Sequence, residues 1–306
     1  MAAKRKTLTR RRRDNVLGTL FALSPLVGFC LFGLLPLVFS LVLSFGRLQS
    51  FDIMDIDFVG FDNYARIFTQ DKRFLKSIGN TFLYAILSVG ISLVLALLLS
   101  VLLNRKMAGK KIYRIILFIP YVCSVVAIST MWKWLFDYNY GIINDFMELI
   151  KLPRVDWLHN RSTAMPVMIL MSVWSGLGYN MILFTAALGS VNRAYYEAAT
   201  LDGASRARMF FSITLPLISP TTFFLMVMGF IGALQSFANF QIMTPTGGPD
   251  DSTLTMVLRV YYVGFVEDAQ VYGMGYASAM SWLVGLIVMA FSAVLFRLSR
   301  RWVHYD

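Results

Sequence analysis

The polar residues best suited to bind a solute are uncharged and lie inside long apolar stretches. Hydroxyl, amide and aromatic side chains bind neutral polar molecules. We find no nucleophile paired with a base, the arrangement that would indicate covalent catalysis. Three groups are candidates: Trp174, Gly176, Tyr179 and Asn180; Gln235, Ser236, Asn239 and Gln241; and Tyr276, Ser278, Ser281 and Trp282. Helix–helix packing is the alternative role for each of these polar side chains.

A second pattern lies between two apolar stretches. Ala194 to Leu201 consists of good helix formers, and Ala198 and Ala199 would give this helix a face that approaches a partner closely. Gly203 suits the end of the helix, while Asp202 or Ser205 could cap the segment that follows. Pro216 fits a bend or the first turn of the next helix. An ordinary amphipathic connecting helix is the alternative interpretation.

Metal and nucleotide chemistry have little support in the residue types. Cys30, Cys123, His159 and His304 are isolated, so they form neither a metal cluster nor a disulfide framework. Gly109-Lys110-Lys111 lacks the preceding glycine spacing of a phosphate-binding loop. We therefore expect no cofactor on this chain, and any use of ATP would require a separate ATP-binding subunit.

Composition defines the broad class of protein. Of 306 residues, 57% are hydrophobic and 15% are charged, with a mean hydropathy of +0.63. Soluble domains contain roughly 25% charged residues, and a chain of this size could not hide so much apolar surface from water. The composition indicates a polytopic membrane protein.

Charge-free runs predict the membrane crossings, since a helix needs about 20 apolar residues to cross the hydrocarbon core. Six such runs occur: Val16–Phe45, Ser77–Asn104, Ile115–Trp132, Ser162–Asn192, Met209–Pro249 and Ala269–Phe296. We expect the third helix to continue to Phe136 with Lys133 at an interface, and the fifth to run from about Ser219 to Phe240. The prediction is an all-α integral membrane protein with six transmembrane helices.

The distribution of basic residues predicts the orientation. Segments on the side of the N-terminus carry 18 Lys and Arg, against 9 on the other side. The positive-inside rule makes both termini cytoplasmic. Residues 1–15 form a basic cytoplasmic segment, and residues 16–306 form the transmembrane domain. This topology and attraction to anionic lipid account for the net charge of +11, so no nucleic-acid partner is expected.

The second pattern resembles the EAA loop of permease subunits of bacterial ABC importers. That pattern is E-A-A, three residues, G, nine residues and I-x-L-P; here it is Glu197-Ala198-Ala199, Gly203 and Ile213-Thr214-Leu215-Pro216. The resemblance implies a coupling helix within about residues 193–217 that docks on a cytoplasmic ATPase. The implied ATPase-coupling residues are Glu197, Ala198, Ala199, Asp202, Gly203, Ala204 and Ser205.

Other segments are similar to the carbohydrate subgroup of this family, of the first-permease type found in maltose-type and multiple-sugar importers. They are Gly60–Tyr64, Asn80-Thr81, Thr246–Pro249, Ser252-Thr253, Tyr261-Tyr262, Gly264-Phe265 and Gly275–Ala279. Gly176 and Tyr179 resemble a sugar-contacting glycine and tyrosine of the maltose-type subunit. With these two, the predicted substrate-binding residues are Asn180, Gln235, Ser236, Asn239 and Trp282.

The resemblance also implies the fold and the partners. The fold would be the type I ABC importer permease core, in a bacterial cell membrane. The partners would be a second permease, two ATPases that bind MgATP, an extracytoplasmic binding protein, membrane lipid and a sugar or oligosaccharide.

Three alternative functions remain: a permease for glycerol 3-phosphate or another polyol or anion, a self-sufficient secondary transporter, and a structural or signalling subunit. Apart from Lys133, the apolar runs contain no ionisable Asp, Glu, Lys or Arg, which argues against proton coupling.

Overall fold

A computed structural model of the chain describes residues 2–48, 56–104, 109–267 and 273–304. Helices dominate, and the one short antiparallel hairpin among these residues is not predicted by the sequence. The elements up to the middle of the chain are α1 (Ala2–Phe29), α2 (Leu35–Ser44), β1 (Gly46–Leu48), β2 (Ile56–Phe58), α3 (Asp62–Thr69), α4 (Lys72–Asn104), α5 (Lys110–Val122), α6 (Val125–Leu135) and α7 (Ile142–Leu149). The remaining elements are α8 (Ala164–Ser190), α9 (Arg193–Leu201), α10 (Arg206–Met209), α11 (Leu215–Leu217), α12 (Ser219–Leu234), α13 (Ala238–Met243), α14 (Met256–Phe265) and α15 (Gly273–Ser299).

The candidate membrane spans coincide with the six apolar runs. Within the described ranges, four helices are long and apolar enough to cross singly: Leu17–Ser44, α4, α8 and α15. Two bent pairs, α5 with α6 and Arg206–Leu217 with α12, raise the number of candidate spans to six. The start of the sixth predicted run, at Ala269, lies outside the described residues.

Proline shapes the first of these spans. Cys30–Leu34 forms a π-helical turn between α1 and α2, directly before Pro36. Proline has no N–H to donate and crowds the carbonyl of the preceding turn, and a wider turn accommodates it. Phe210–Thr214 forms a second π-helical turn directly before Pro216.

The third run is not one unbroken helix, although its helical structure ends at Leu135, one residue from the predicted end at Phe136. α5 and α6 meet at an angle of 100°, with Cys123 and Ser124 in extended conformations between them. Pro120 lies in the last turn of α5 and has no N–H to donate to the Ile116 carbonyl, which weakens the helix just before the bend. α6 then ends at Leu135.

The fifth helix begins at Ser219 as predicted, but it ends earlier than predicted. The chain bends by 63° between Leu217 and α12, where Pro216 and Pro220 flank the break, as the sequence suggests for Pro216. The predicted end at Phe240 is wrong, because α12 stops at Leu234 and α13 begins at Ala238. Between them the Ser236 carbonyl accepts a hydrogen bond from the Thr255 hydroxyl (3.0 Å), which holds the backbone away from the helical path.

One compact unit contains α1, α2, the β1–β2 hairpin and the first turns of α15. Asn63 donates to the backbone carbonyls of Ser44 and Gly46, both at 2.9 Å, and so satisfies acceptors that the end of α2 leaves open. A Cβ at Gly275 would lie 1.9 Å from the Gly46 carbonyl oxygen, so only glycine permits this approach. Two of the segments that resemble the sugar-permease family therefore serve packing here.

The second unit is built on α4 and α8, which pack along one another, with α5 against α8 and α12 against α4. At its edge lies a buried ion pair: Arg259 Nη2 lies 2.9 Å from Asp71 Oδ2, with the two side chains 1% and 2% exposed. The other Asp71 oxygen accepts from the Phe74 amide at 2.8 Å, capping the start of α4. The pair joins α4 to α14.

A second Asp–Arg pair holds the loop before α14 against α4. Arg73 Nε and Nη2 donate to the two carboxylate oxygens of Asp251 at 2.9 and 2.7 Å. Asn80 donates to the Asp251 carbonyl at 2.7 Å. Thr246, Asp250 and Asp251 all have positive φ, a conformation that these contacts stabilise.

Asp71→Asn keeps the helix cap and leaves the Arg259 charge buried without its counterion. We expect a loss of about 3–5 kcal/mol in the free energy of unfolding. Asp251→Asn is the matched control at the half-exposed pair, where the loss should stay below about 1 kcal/mol. Thermal and denaturant unfolding of the purified protein measures both values. Equal losses in the two variants would contradict the conclusion that the Asp71–Arg259 pair is the strongly stabilising one.

Candidate functional site

A cavity of about 380 Å³ lies at the middle of the second unit's helices. α4, α5, α8 and α12 supply its walls: Tyr84, Ser88, Val89, Ser92, Tyr121, Ser172, Gly176, Tyr179, Asn180, Leu225, Met228, Gly229, Gly232 and Ala233. These residues, all in the described part of the chain, include no Asp, Glu, Lys or Arg. Seven of them carry a hydroxyl or amide group, so the wall suits an uncharged polar ligand.

Three of the predicted substrate-binding residues meet at this cavity. The Tyr179 ring stacks on the Tyr121 ring, with 4.5 Å between centroids and 15° between planes. Asn180 Nδ2 donates to the Ser92 hydroxyl at 2.9 Å. A Cβ at Gly176 would sit 3.6 Å from that hydroxyl, so the glycine keeps the wall open beside it. Aromatic faces beside an oriented amide provide the mixed apolar and polar lining of a small-molecule site.

Ser88 is one of several polar wall residues that the sequence analysis missed, with Tyr84, Ser92, Tyr121 and Ser172. Its side chain is 2% exposed, and its hydroxyl is buried without a hydrogen-bond partner. A buried hydroxyl with no partner is costly unless a ligand or water satisfies it. The available signal was the spacing of Tyr84, Ser88 and Ser92, which lie four residues apart and therefore on one face of α4.

Two residues of the fifth run support the wall from behind. Asn239 Nδ2 lies 3.3 Å from the Tyr84 hydroxyl, and its Oδ1 accepts from the Ser236 hydroxyl at 2.8 Å. Gln241 accepts from the Tyr262 hydroxyl at 2.9 Å, away from the cavity lining. Gln235 is exposed at the end of α12 and does not line the cavity.

The remaining candidate, Trp282, belongs to the first unit. Its Nε1 donates to the Ser40 hydroxyl at 3.2 Å and joins α15 to α2. Trp174 is 37% exposed and packs beside Trp132 with 5.7 Å between ring centroids. Neither tryptophan lines the cavity.

A close helix crossing sets the width of the cavity. At Gly178 a Cβ would lie 2.0 Å from the Leu117 carbonyl oxygen, so α5 touches the backbone of α8 there. This contact brings Tyr121 of α5 against Tyr179 of α8. On the other wall, a Cβ at Gly229 would lie 3.0 Å from the Val89 side chain.

The predicted short helix is present as α9, and a glycine ends it. Gly203 has φ of +75°, and its N–H donates to the Thr200 carbonyl at 3.1 Å. The Ala204 N–H donates to the Ala199 carbonyl at 2.9 Å, which completes a Schellman motif. The Ser205 side chain then accepts from the Arg208 N–H and caps α10.

α9 has little contact with the rest of the chain on its outer face. Leu201 is 90% exposed and Tyr195 54% exposed, and Glu197 and Ala198 are also exposed. A shallow hollow on this surface is lined by Arg193, Tyr196, Glu197, Thr200 and Leu201. Exposed large apolar residues beside a charged residue indicate a contact surface for another protein.

One hydrogen bond joins α9 to the membrane segment that follows it. The Tyr196 hydroxyl lies 2.8 Å from the Thr214 hydroxyl, in the π-helical turn that leads towards α12. α12 supplies Leu225, Met228, Gly229 and others to the cavity wall. α9 is thereby linked, through residues 206–217 and the bend before α12, to a helix that lines the cavity.

An uncharged cavity inside a bundle of membrane-spanning helices, joined to an exposed helix outside it, defines a transport permease. Residues 67–303 match the binding-protein-dependent transport system inner membrane component family, and the chain belongs to this family. The predicted identification as an ABC importer permease subunit is confirmed.

Relatives in three bacteria align along most of the chain. The probable ABC transporter permease protein YesP of Bacillus subtilis is 36% identical over 299 residues, covering 96% of this chain and 94% of YesP. The diacetylchitobiose uptake system permease protein NgcF of Streptomyces coelicolor is 35% identical, covering 90% and 80%. The sn-glycerol-3-phosphate transport system permease protein UgpA of Yersinia pestis bv. Antiqua is 34% identical, covering 82% and 83%.

A solved structure extends the similarity to the fold. A chain from the crystal structure of a bacterial ABC transporter involved in the import of the acidic polysaccharide alginate superposes with a TM-score of 0.80. The two chains are 25% identical, and the superposition covers 95% of this chain and 96% of that one. The predicted all-α type I permease fold is therefore confirmed.

Gly178→Ala tests the crossing that shapes the cavity. The added methyl group must displace α5, and we expect a loss of about 1–3 kcal/mol in unfolding free energy. Gly189→Ala, on the same helix with open space around it, should instead gain about 0.5–1 kcal/mol through helix propensity. Unfolding midpoints of both variants in detergent measure these changes in stability. A Gly178→Ala variant that is more stable than the wild type would exclude the close crossing of α5 and α8.

Proposed function

We propose that this chain forms half of the translocation pathway of an ATP-driven importer for a neutral sugar or oligosaccharide. The observation that carries the proposal is the cavity, with its stacked tyrosines, hydroxyls and amide and its lack of charged lining residues. Its volume of about 380 Å³ falls within the roughly 300–1,000 Å³ of small-molecule sites. The diacetylchitobiose system of the relative NgcF supports this cargo class.

An anionic cargo is the second candidate, because the relative UgpA belongs to a glycerol 3-phosphate system and the structural neighbour imports an acidic polysaccharide. A phosphate or carboxylate at membrane depth requires a cationic side chain or several donors to replace its hydration. The described lining offers hydroxyls and one amide, and none of its members is Lys or Arg. The neutral cargo is therefore favoured.

The proposed orientation and partners are those that the sequence predicts. The excess of Lys and Arg beside α9 and the termini supports a cytoplasmic location for both. There α9, with Glu197 to Ser205, would dock on one of two ATPase subunits, and MgATP would bind to those subunits alone. The family description includes a binding protein, which would deliver the solute from outside. A second permease would enclose the other half of the pathway.

The mechanism is alternating access driven from α9. Closure of the ATPases would displace α9, and the Tyr196–Thr214 hydrogen bond would carry this motion to α12. α12 lines the cavity with Gly229 and Gly232, and Gly229 lets the Val89 side chain of α4 approach the α12 backbone closely. The cavity residues would bind the solute without reacting with it, since ATP hydrolysis takes place on the partner subunits.

Ser88→Ala removes the unpaired hydroxyl of the cavity. We expect the KM for sugar uptake to rise by up to about tenfold, since a hydrogen bond contributes about 0.5–1.5 kcal/mol. Ser129→Ala is the control, because Ser129 is also buried without a partner but lies outside the cavity lining. Uptake of labelled disaccharides into proteoliposomes measures both; equal KM values in the two variants would remove Ser88 from the site.

Tyr179→Ala removes one ring of the stacked pair at the same cavity. It should lower uptake or change the preference among sugars, while the complex still co-purifies intact. Competition between labelled and unlabelled sugars measures the preference. Wild-type uptake and preference would exclude Tyr179 from solute binding.

Glu197→Lys reverses the charge on the exposed face of α9. We expect the variant to reach the membrane but to lose ATPase binding and uptake. Glu148→Lys, on an exposed helix remote in sequence, should retain both activities. Co-purification of the ATPase and ATP-dependent uptake report the result; normal coupling in the Glu197 variant would overturn the docking assignment.

A further inference from the structure

α7 presents three distinct faces, of which one packs on the rest of its unit. Ile143, Asn144 and Met147 point inward, and Asn144 is fully buried. Asn144 Nδ2 donates to the Val155 carbonyl at 3.0 Å, and its Oδ1 accepts from Trp157 Nε1 at 3.1 Å. These bonds fix the rotation of α7 about its own axis.

The second face is charged. Arg154 Nη2 lies 2.9 Å from Asp145 Oδ1 and 2.8 Å from Glu148 Oε2. The hydrogen bond to Glu148 raises the pKa of the Arg154 guanidinium, and burial acts in the opposite direction. Because this side of α7 carries an ion-paired cluster of three charged side chains, it belongs in water.

The third face is apolar and uncovered. With 100° per residue, Ile142, Phe146 and Leu149 lie together on the helix, roughly 100° away from the charged face. The exposed fractions of the side chains on and beside this face are 50% for Ile142, 59% for Phe146, 79% for Leu149, 51% for Ile150, 49% for Leu152 and 74% for Tyr140. A contiguous patch of large apolar side chains is unusual on a surface that contacts water.

The neighbouring residues indicate what covers this face. α7 follows α6, part of a candidate membrane span whose Val125, Val126 and Trp134 are also exposed. Lys133 and Lys151 are exposed close in sequence to the apolar residues, where their ammonium groups can reach lipid phosphates. Tryptophan, tyrosine and lysine beside an apolar surface are typical of the membrane–water boundary.

We propose that α7 is an interfacial helix that lies in the surface of the bilayer. Its Phe146–Leu149 face rests against lipid acyl chains, and its Asp145–Glu148 face with Arg154 contacts water. A helix of this kind anchors the segment between α6 and α8 at a fixed depth. The inference concerns lipid contact alone, so it stands or falls independently of the cargo and of ATPase coupling.

Collision measurements on spin-labelled protein test the proposal. A nitroxide is attached at Leu149→Cys and, as the matched control, at Glu148→Cys, in the Cys30→Ser and Cys123→Ser background. Phe146→Cys is a second label site on the apolar face in case Leu149→Cys fails to fold. The labelled chain is studied within its assembled complex in phospholipid nanodiscs, with oxygen as the lipid-soluble reagent and a nickel chelate as the aqueous one.

The expected result is opposite accessibility on the two faces. Labels at positions 149 and 146 should collide several-fold more often with oxygen than with nickel, and the label at 148 should show the reverse. Preferential nickel collisions at 149 and 146 would overturn the proposal in favour of a water-exposed face, such as one used by the binding protein. Protection from both reagents at 149 and 146 would overturn it in favour of a contact with the second permease.

Discussion

Every polar group inside an apolar bundle must find a partner, because lipid and packed side chains offer none. In the second unit these pairs determine the architecture: Asn180 with Ser92 joins α8 to α4, and Asn239 with Tyr84 joins the α13 region to α4. The buried Asp71–Arg259 pair joins the start of α4 to α14. Within the described cavity wall, Ser88 differs because its buried hydroxyl has no hydrogen-bond partner.

The same constraint suits the cavity to the proposed sugar cargo. A sugar brings its own hydroxyl groups, which replace the water that Ser88, Asn180 and the tyrosines would otherwise require. The absence of charge from the described lining lowers the cost of an empty cavity at membrane depth. Gly178 keeps α5 close to α8, so the stacked Tyr121 and Tyr179 rings form a narrow aromatic surface beside these polar groups.

The spans were predictable from the sequence, because length and charge are local properties. The short helix before Gly203 was predictable for the same reason. The 100° bend after Pro120 was not, since proline indicates a break but not its angle. Contacts between distant parts of the chain could not be predicted. Asn80 binds the loop at Asp251, and Asn63 caps α2. The resemblance to the family identified these two segments but not their contacts.

The candidate site was predictable only in part. Gly176, Tyr179 and Asn180 meet at the cavity, since one helix presents them over about one turn. Trp282 and Gln235 have the right chemistry but lie elsewhere. Residue type alone does not distinguish a ligand-binding side chain from one that packs or faces outward.

The most direct measurement is ATP hydrolysis by this subunit reconstituted with its co-purifying partners, a binding protein and candidate sugars. The account predicts hydrolysis that rises with a neutral sugar and its binding protein, together with sugar uptake. Solute uptake by the chain alone, without ATP, would contradict it.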